Sequence, residues 1–250
     1  MRLAGRLSAA AIERAVELTL AGALDGIVTA PISKAALNAA GISYPGHTEF
    51  LRDLAGAEEV TMMMTAETTP LGGPLRLALL TAHVPLRVVP DVLGIDLILR
   101  RTRIALAALR DWWGIRRPRV AFAGLNPHAG EGGLFGSEEV EVMMPAIEIL
   151  GEDPDLEVLG VFPADTVFRQ TIEGVADVVV TPYHDVGLAV LKTVARDEGV
   201  NVTAGLPFPR TSPDHGTALD IAGTGQADPG AMKTAIDLCV RFSNAGVTIP

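Results

Sequence analysis

His83, His128 and His184 stand 45 and 56 residues apart in the chain. Each lies just past a short apolar, β-branched run that reads as a strand. In an open α/β sheet, ligands collect at the loops after the carboxyl ends of strands. Five stretches of that kind carry polar side chains here: Thr29–Lys34, Thr81–Pro85, Leu125–Gly133, Thr181–Asp185 and the long Gly205–Gly230. A lone histidine in such a loop is ordinarily a hydrogen-bonded surface group, but three in matching positions suggest a divalent-metal site. Imidazole is the commonest ligand of a catalytic ion, and three protein ligands leave one position open for substrate. A neutral ligand shell leaves the ion's charge undiminished, which suits a Lewis acid acting on a hydroxyl. The other two histidines, His47 and His215, also read as loop residues.

Lys192, Asn201 and Arg210 follow His184 at steps of 8, 9 and 9 residues. Lys192, on a helix, reads by itself as an ordinary surface cation. Arg210 sits in a segment punctuated by proline and glycine, Leu206–Ser212, and is suited to hold phosphate through a bidentate pair. The glycine-rich stretch Gly130–Gly136 either lets backbone approach a ligand or is a plain turn. Gly223-Thr-Gly225 lacks the strand–GxGxxG–helix context, which sets a Rossmann reading aside.

The elements that must position these residues alternate along the chain. Gly26–Ala30, Val60–Thr65, Leu75–Thr81, Arg119–Ala123, Leu156–Val161, Ala176–Thr181 and Val200–Thr203 read as strands. Leu97–Trp113, Glu138–Leu150, Thr166–Glu173, Leu188–Arg196 and Ala231–Asn244 read as helices. That order predicts an α/β architecture with helices packed on a largely parallel or mixed sheet. Leu7–Leu24 reads as an amphipathic opening helix with Ser8 at its N-cap. Glu13, Arg14 and Glu17 deny this stretch the uncharged core of a signal peptide, and no other run is apolar enough to span a membrane. With 250 residues, 48% hydrophobic and 20% charged, the composition is that of a soluble globular protein. The net charge of -10 excludes a general basic field for nucleic acid or an anionic membrane, so any phosphate must be caught by local groups. A single cysteine, Cys239, excludes an internal disulfide and fits a reducing cytoplasm. No linker or repeat divides the chain.

The runs Thr29-Ala-Pro-Ile-Ser-Lys, Pro45-Gly-His-Thr-Glu-Phe, Leu125-Asn-Pro-His-Ala-Gly-Glu-Gly-Gly, Pro182-Tyr-His-Asp and Arg210-Thr-Ser-Pro-Asp-His-Gly-Thr-Ala together resemble the 4-hydroxythreonine-4-phosphate dehydrogenase family of pyridoxine and pyridoxal phosphate biosynthesis. The resemblance runs in order from about Gly26 to the C-terminus. It implies an isocitrate/isopropylmalate dehydrogenase-like fold, residues 1–250 forming one unit of two interleaved lobes, and a homodimer whose active site is shared between subunits. It maps metal ligation (zinc, magnesium or cobalt) onto His83, His128 and His184, and substrate contacts onto His47, Thr48, Lys192, Asn201 and Arg210. Asp165 and Lys192 become the two candidates for proton relay. His215, Thr217, Asp220 and Asp228 resemble the residues that face the nucleotide. An acid at Asp220 would accept from ribose hydroxyls and repel a 2′-phosphate, favouring NAD over NADP.

The family's opening strands and its Gly-Asp/Glu-Pro-Ala-Gly-Ile-Gly-type segment have no counterpart here. The expectation is therefore a cleft lacking that part, either from a misplaced start or in a chain that turns over poorly. The implied reaction is NAD-dependent oxidation of 4-phosphooxy-L-threonine, with loss of carbon dioxide, to 3-amino-2-oxopropyl phosphate. One alternative keeps the machinery and changes the substrate to phosphorylated threonate or erythronate, or an aromatic dihydrodiol. Others are a metal-dependent lyase or hydrolase without NAD, and an inactive truncated chain.

Overall fold

A computed structural model describes residues 1–44, 46–195 and 198–245. Pro45, which opens one of the motifs above, and Arg196, the expected end of a helix, lie outside the described residues. The chain forms two compact units, residues 1–60 with 200–250, and residues 61–199.

The unit of residues 61–199 has, among the described residues, the strands β2 (Thr61–Ala66), β3 (Leu75–Leu79), β4 (Arg119–Ala123), β5 (Glu157–Phe162) and β6 (Val178–Thr181), in the order β2-β3-β6-β4-β5. β2 and β3 are antiparallel. β3, β6, β4 and β5 run parallel. The parallel strands are mostly apolar, and β6 is buried at every position, as expected of strands covered on both faces. Its helices are α4 (Val89–Val92), α5 (Ile95–Asp111), α6 (Met144–Leu150), α7 (Ala164–Ile172) and α8 (His184–Ala195). Leu77, Leu79, Val179, Phe168 and Leu191 share one core.

The expected helix over Glu138–Leu150 is two pieces. A π-turn, Glu139–Met143, precedes α6, and Pro145 lies in the first turn of α6. Proline has no N–H to give an α-helical bond, and widening the turn before it accommodates that loss.

The other unit has β1 (Ile27–Val28), β7 (Val200–Ala204) and β8 (Arg210–Pro213). β8 pairs parallel with β1 and antiparallel with β7. α1 (Arg2–Leu20) buries Gly5, Ala9, Ile12, Val16 and Thr19, one stripe at helical spacing. It therefore begins before the expected Leu7, and Ser8 is an interior residue, not a cap. Gly22 ends it in the left-handed region at φ 71°, with Ala23 N–H donating to the Leu18 carbonyl, a Schellman-type stop. Two helices escape the periodicity because they are short: α2 (Lys34–Ala39), capped by Ser33, and α3 (His47–Ala55), which runs from Gly46 to a left-handed Gly56. α9 (Gly230–Asn244) packs against β8. Leu37, Leu51 and Phe208 centre this core.

Candidate functional site

Arg210 corrects the sequence expectation most. It lies on β8, not in a loop, and is 2% exposed. Its Nη1 donates to Thr203 Oγ1 at 2.9 Å and to Asn201 Oδ1 at 3.5 Å, and its Nη2 donates to Thr29 Oγ1 at 2.5 Å. The pairing of β1 and β7 on either side of β8 brings these three acceptors together. All are neutral, and Nε has no partner among the described residues. Burial lowers the guanidinium pKa to about 10, still well above neutrality. A buried cation on neutral acceptors lacks its counter-charge, a costly arrangement that an anionic ligand relieves.

His47 corrects a second expectation: it opens α3 instead of lying in a loop. Burial, with the Arg210 charge adding to it, lowers its pKa to about 4. The imidazole is therefore neutral at physiological pH, and the positive charge at this site belongs to Arg210. Thr48 follows on the first turn, partly buried.

The three metal-candidate histidines all lie in residues 61–199, beyond the carboxyl ends of β3, β4 and β6, as the strand-end reading expects. Two come together: the rings of His83 and His184 are 6.0 Å apart between centroids and inclined at 40°. Adjacent parallel strands set this pair. Leu80 N–H donates to the Thr181 carbonyl at 2.9 Å, and Thr81 Oγ1 donates to the Pro182 carbonyl at 2.8 Å. His184 begins α8, and its Nδ1 lies 2.7 Å from Asp185 Oδ1. A carboxylate only accepts, so Nδ1 carries the proton and Nε2 presents its lone pair to a ligand.

His128 does not join the pair: among the described residues no three His, Cys, Asp or Glu side chains are placed to hold one ion. Its ring packs against Phe135 instead, at 6.0 Å. His128 lines a cavity of about 430 Å3 with Asn126, Asp165 and Tyr183. Asp165, in the first turn of α7, is exposed to that space. His128 has φ 54°, and Ala129 and Glu131 share the left-handed region at 52° and 43°, an unfavourable conformation for residues with a Cβ. The donor set fits a borderline ion such as zinc or cobalt. One chain supplies two imidazoles in register and a third apart from them.

Lys192 lies on α8 two turns beyond His184, about 12 Å along the helix axis. The nucleotide candidates are all exposed, in the segment between β8 and α9. His215 Nδ1 is 2.9 Å from the Gly216 carbonyl, and Asp220 sits in a single 3-10 turn, Leu219–Ile221. Asp228 Oδ1 accepts from Gly230 N–H at 2.8 Å, a helix-starting contact at α9. Sequence reasoning missed Thr29 and Thr203 on Arg210, and Asp185 behind His184. Asp185 carried a signal as an acid directly beside a candidate ligand, and Thr29 as the start of a strand-end polar stretch; Thr203 carried none.

The chain as a whole is similar to proteins of known family. The profile of the family described as pyridoxal phosphate biosynthetic protein PdxA matches residues 2–239. A 4-hydroxythreonine-4-phosphate dehydrogenase of Marinobacter nauticus is 47% identical over 98% of this chain and 74% of its own length. The crystal structure of the Klebsiella pneumoniae 4-hydroxythreonine-4-phosphate dehydrogenase superposes with a TM-score of 0.85 at 44% identity, covering 96% of this chain and 70% of that one. A terephthalate 1,2-cis-dihydrodiol dehydrogenase from Burkholderia xenovorans LB400 follows at 0.69 and 32%, covering 95% and 73%. The fold alone extends to an isocitrate dehydrogenase of Methylococcus capsulatus, at 0.57 and 19% over 90% and 70%, which bears out the expected fold class. The chain belongs to the PdxA family of pyridoxal phosphate biosynthetic proteins.

Proposed function

We propose that this chain oxidises and decarboxylates 4-phosphooxy-L-threonine with NAD, giving 3-amino-2-oxopropyl phosphate, carbon dioxide and NADH, in the cytoplasm and as a homodimer. The observation that carries the reading is the His83–His184 pair at the ends of adjacent parallel strands, with the free Nε2 of His184 set by Asp185. The family of its relatives supports the choice of substrate.

When bound, a divalent ion supplies a Lewis acid for the substrate hydroxyl, and NAD accepts the hydride. His83 and His184 would hold the ion, with His128 of a second copy as the third ligand. Exposed Leu134, Phe135, Val140 and Met144 beside the His128 loop support association there, since apolar patches of this kind are usually covered. Arg210, with Asn201, Thr48 and Lys192, holds the substrate's anionic oxygens, and neutral His47 adds a hydrogen bond without adding charge. That grip orients the carbinol hydrogen for transfer. Asp165 or Lys192 takes the hydroxyl proton as the hydride leaves, and the resulting 3-oxo acid loses carbon dioxide. His215, Thr217, Asp220 and Asp228 bind the adenosine end, with Asp220 selecting NAD. Cys239, buried against the Ile27 and Pro209 carbonyls, suits a reducing compartment. Among the described residues no helix is long and apolar enough to cross a membrane.

The test is the initial rate of NADH formation, with and without metal, for wild type and Arg210→Met. Hydrogen bonds to charged groups contribute about 1.5–3 kcal/mol, so the variant should raise KM for the phosphorylated substrate roughly tenfold or more while leaving the KM for NAD nearly unchanged. Undiminished turnover after chelation, or preference for NADP, would overturn the reading. A second reading, the same chemistry on a dihydrodiol, is favoured by the 32% identical dihydrodiol dehydrogenase. It would show as turnover of a diol lacking phosphate and insensitivity to Arg210→Met.

A further inference from the structure

The loop that carries His128 is wrapped around a buried carboxylate. Glu139, in the π-turn before α6, is 2% exposed. Its Oε1 accepts from the Asn126 backbone N–H at 2.7 Å, and its Oε2 accepts from Asn126 Nδ2 at 2.9 Å. Asn126 Nδ2 also donates to Glu138 Oε2 at 2.7 Å. The loop closes over this clamp so tightly that only glycine fits at three points. A Cβ on Gly130 would stand 2.8 Å from Glu139 Oε2, and one on Gly124 3.3 Å from Glu139 Oε1. A Cβ on Gly136 would run into the Asn126 side-chain amide. Between those contacts lies His128, in a left-handed conformation that its own backbone does not favour.

We propose that Glu139 is a positioning residue for metal binding. Its carboxylate pins Asn126, and thereby holds the strained residues 127–131 so that the His128 imidazole is presented for ligation. Neither oxygen of Glu139 is spare. A glutamine there keeps one acceptor but turns an amino group towards a donor, either the Asn126 N–H or its amide, so one contact must break. The strain at His128, Ala129 and Glu131 then has less to oppose it, and the loop can relax away from the ligating geometry. This inference rests on the reading of His128 as a ligand, and its test separates the two.

Cobalt(II) is titrated into the full chain as wild type, Glu139→Gln and His128→Ala. Affinity and the visible d–d spectrum are read at a temperature where far-UV circular dichroism shows each protein folded. Loss of a group hydrogen-bonded directly to a metal ligand weakens binding ~10–100-fold, and Glu139 acts one step further out, through Asn126, which points to the lower end of that range. Glu139→Gln should therefore bind at least about tenfold more weakly, with His128→Ala weaker in the same direction and spectrally altered. A purely structural carboxylate would lower the unfolding temperature and leave the cobalt affinity of folded protein untouched. Wild-type affinity in folded Glu139→Gln beside a defective His128→Ala would overturn the inference and leave the ligand reading standing. Wild-type affinity in His128→Ala would overturn both. If Glu139→Gln does not fold, Gly130→Ala decides by the same criterion, because its methyl group presses on Oε2 while leaving the carboxylate in place.

Discussion

Replacing His47 by glutamine should flatten part of the pH dependence of this protein's stability. His47 binds its proton at about 4 in the folded chain, against an ordinary value of 6.5, mainly because it is buried and secondarily because Arg210 lies near. A depressed native pKa means that the unfolded chain binds more protons between those two values. Stability from this group is thus fully present above pH 6.5 and is lost as pH falls towards 4. At pH 5 the unfolded chain carries nearly a whole proton on His47 and the native chain about a tenth of one. Each unit of displacement corresponds to about 1.4 kcal/mol, so lowering the pH from 7 to 5 should cost wild type about 2 kcal/mol through this residue. Urea unfolding at both pH values, in wild type and His47→Gln, isolates the term, because the carboxylates contribute equally to both proteins. If the variant loses as much stability as wild type between pH 7 and 5, His47 is not held neutral, and its description as an uncharged neighbour of Arg210 is wrong.

Two further substitutions probe other parts of the structure. Asp185→Asn removes the carboxylate that sets the His184 tautomer; cobalt affinity should fall ~10-fold or more with little change in urea midpoint, since Asp185 is largely exposed, and an unchanged affinity would count against the tautomer argument. Gly5→Ala should destabilise by about 1–3 kcal/mol despite alanine's better helix propensity, because its methyl group would collide with the Ala36 carbonyl of α2; an unfolding temperature equal to or above wild type would refute that packing.

What the sequence made legible was whatever local pattern controls. The strands β2 to β7 announce themselves by apolar runs, and the metal-candidate histidines by their place after three of those runs. Arg210 was legible as an anion-binding type, but not as a buried one. Its position depends on β8 joining β1 from the far end of the chain, and on Thr29 and Thr203 flanking it once the strands pair. Thr203 has no local mark, and Thr29 is marked only as the start of a polar stretch, not as a partner of Arg210. The same limit hid the Glu139–Asn126 clamp, since a glutamate at the head of a helix reads as an ordinary first-turn acid until the loop folds back over it. The separation of His128 from the His83–His184 pair was equally out of reach, because spacing says which strand a residue follows and nothing about where its loop turns.

The discontinuity of the unit built from residues 1–60 and 200–250 has a consequence for how the protein is made. Ile27 of β1 pairs with Arg210 of β8, so its partner strand is synthesised only after residues 61–199 have emerged. At the usual ~5–20 residues per second, α1 to α3 wait roughly 7–30 s on the ribosome with Ile27, Leu37 and Leu51 lacking the Leu206 and Phe208 that later share their core. The pairings of β2 to β6 with one another meet no such delay, because they fall within one continuous stretch. The nascent chain can therefore pair β2 to β6 with one another first, while Ile27, Leu37 and Leu51 stay without their later core partners until Leu206 and Phe208 arrive.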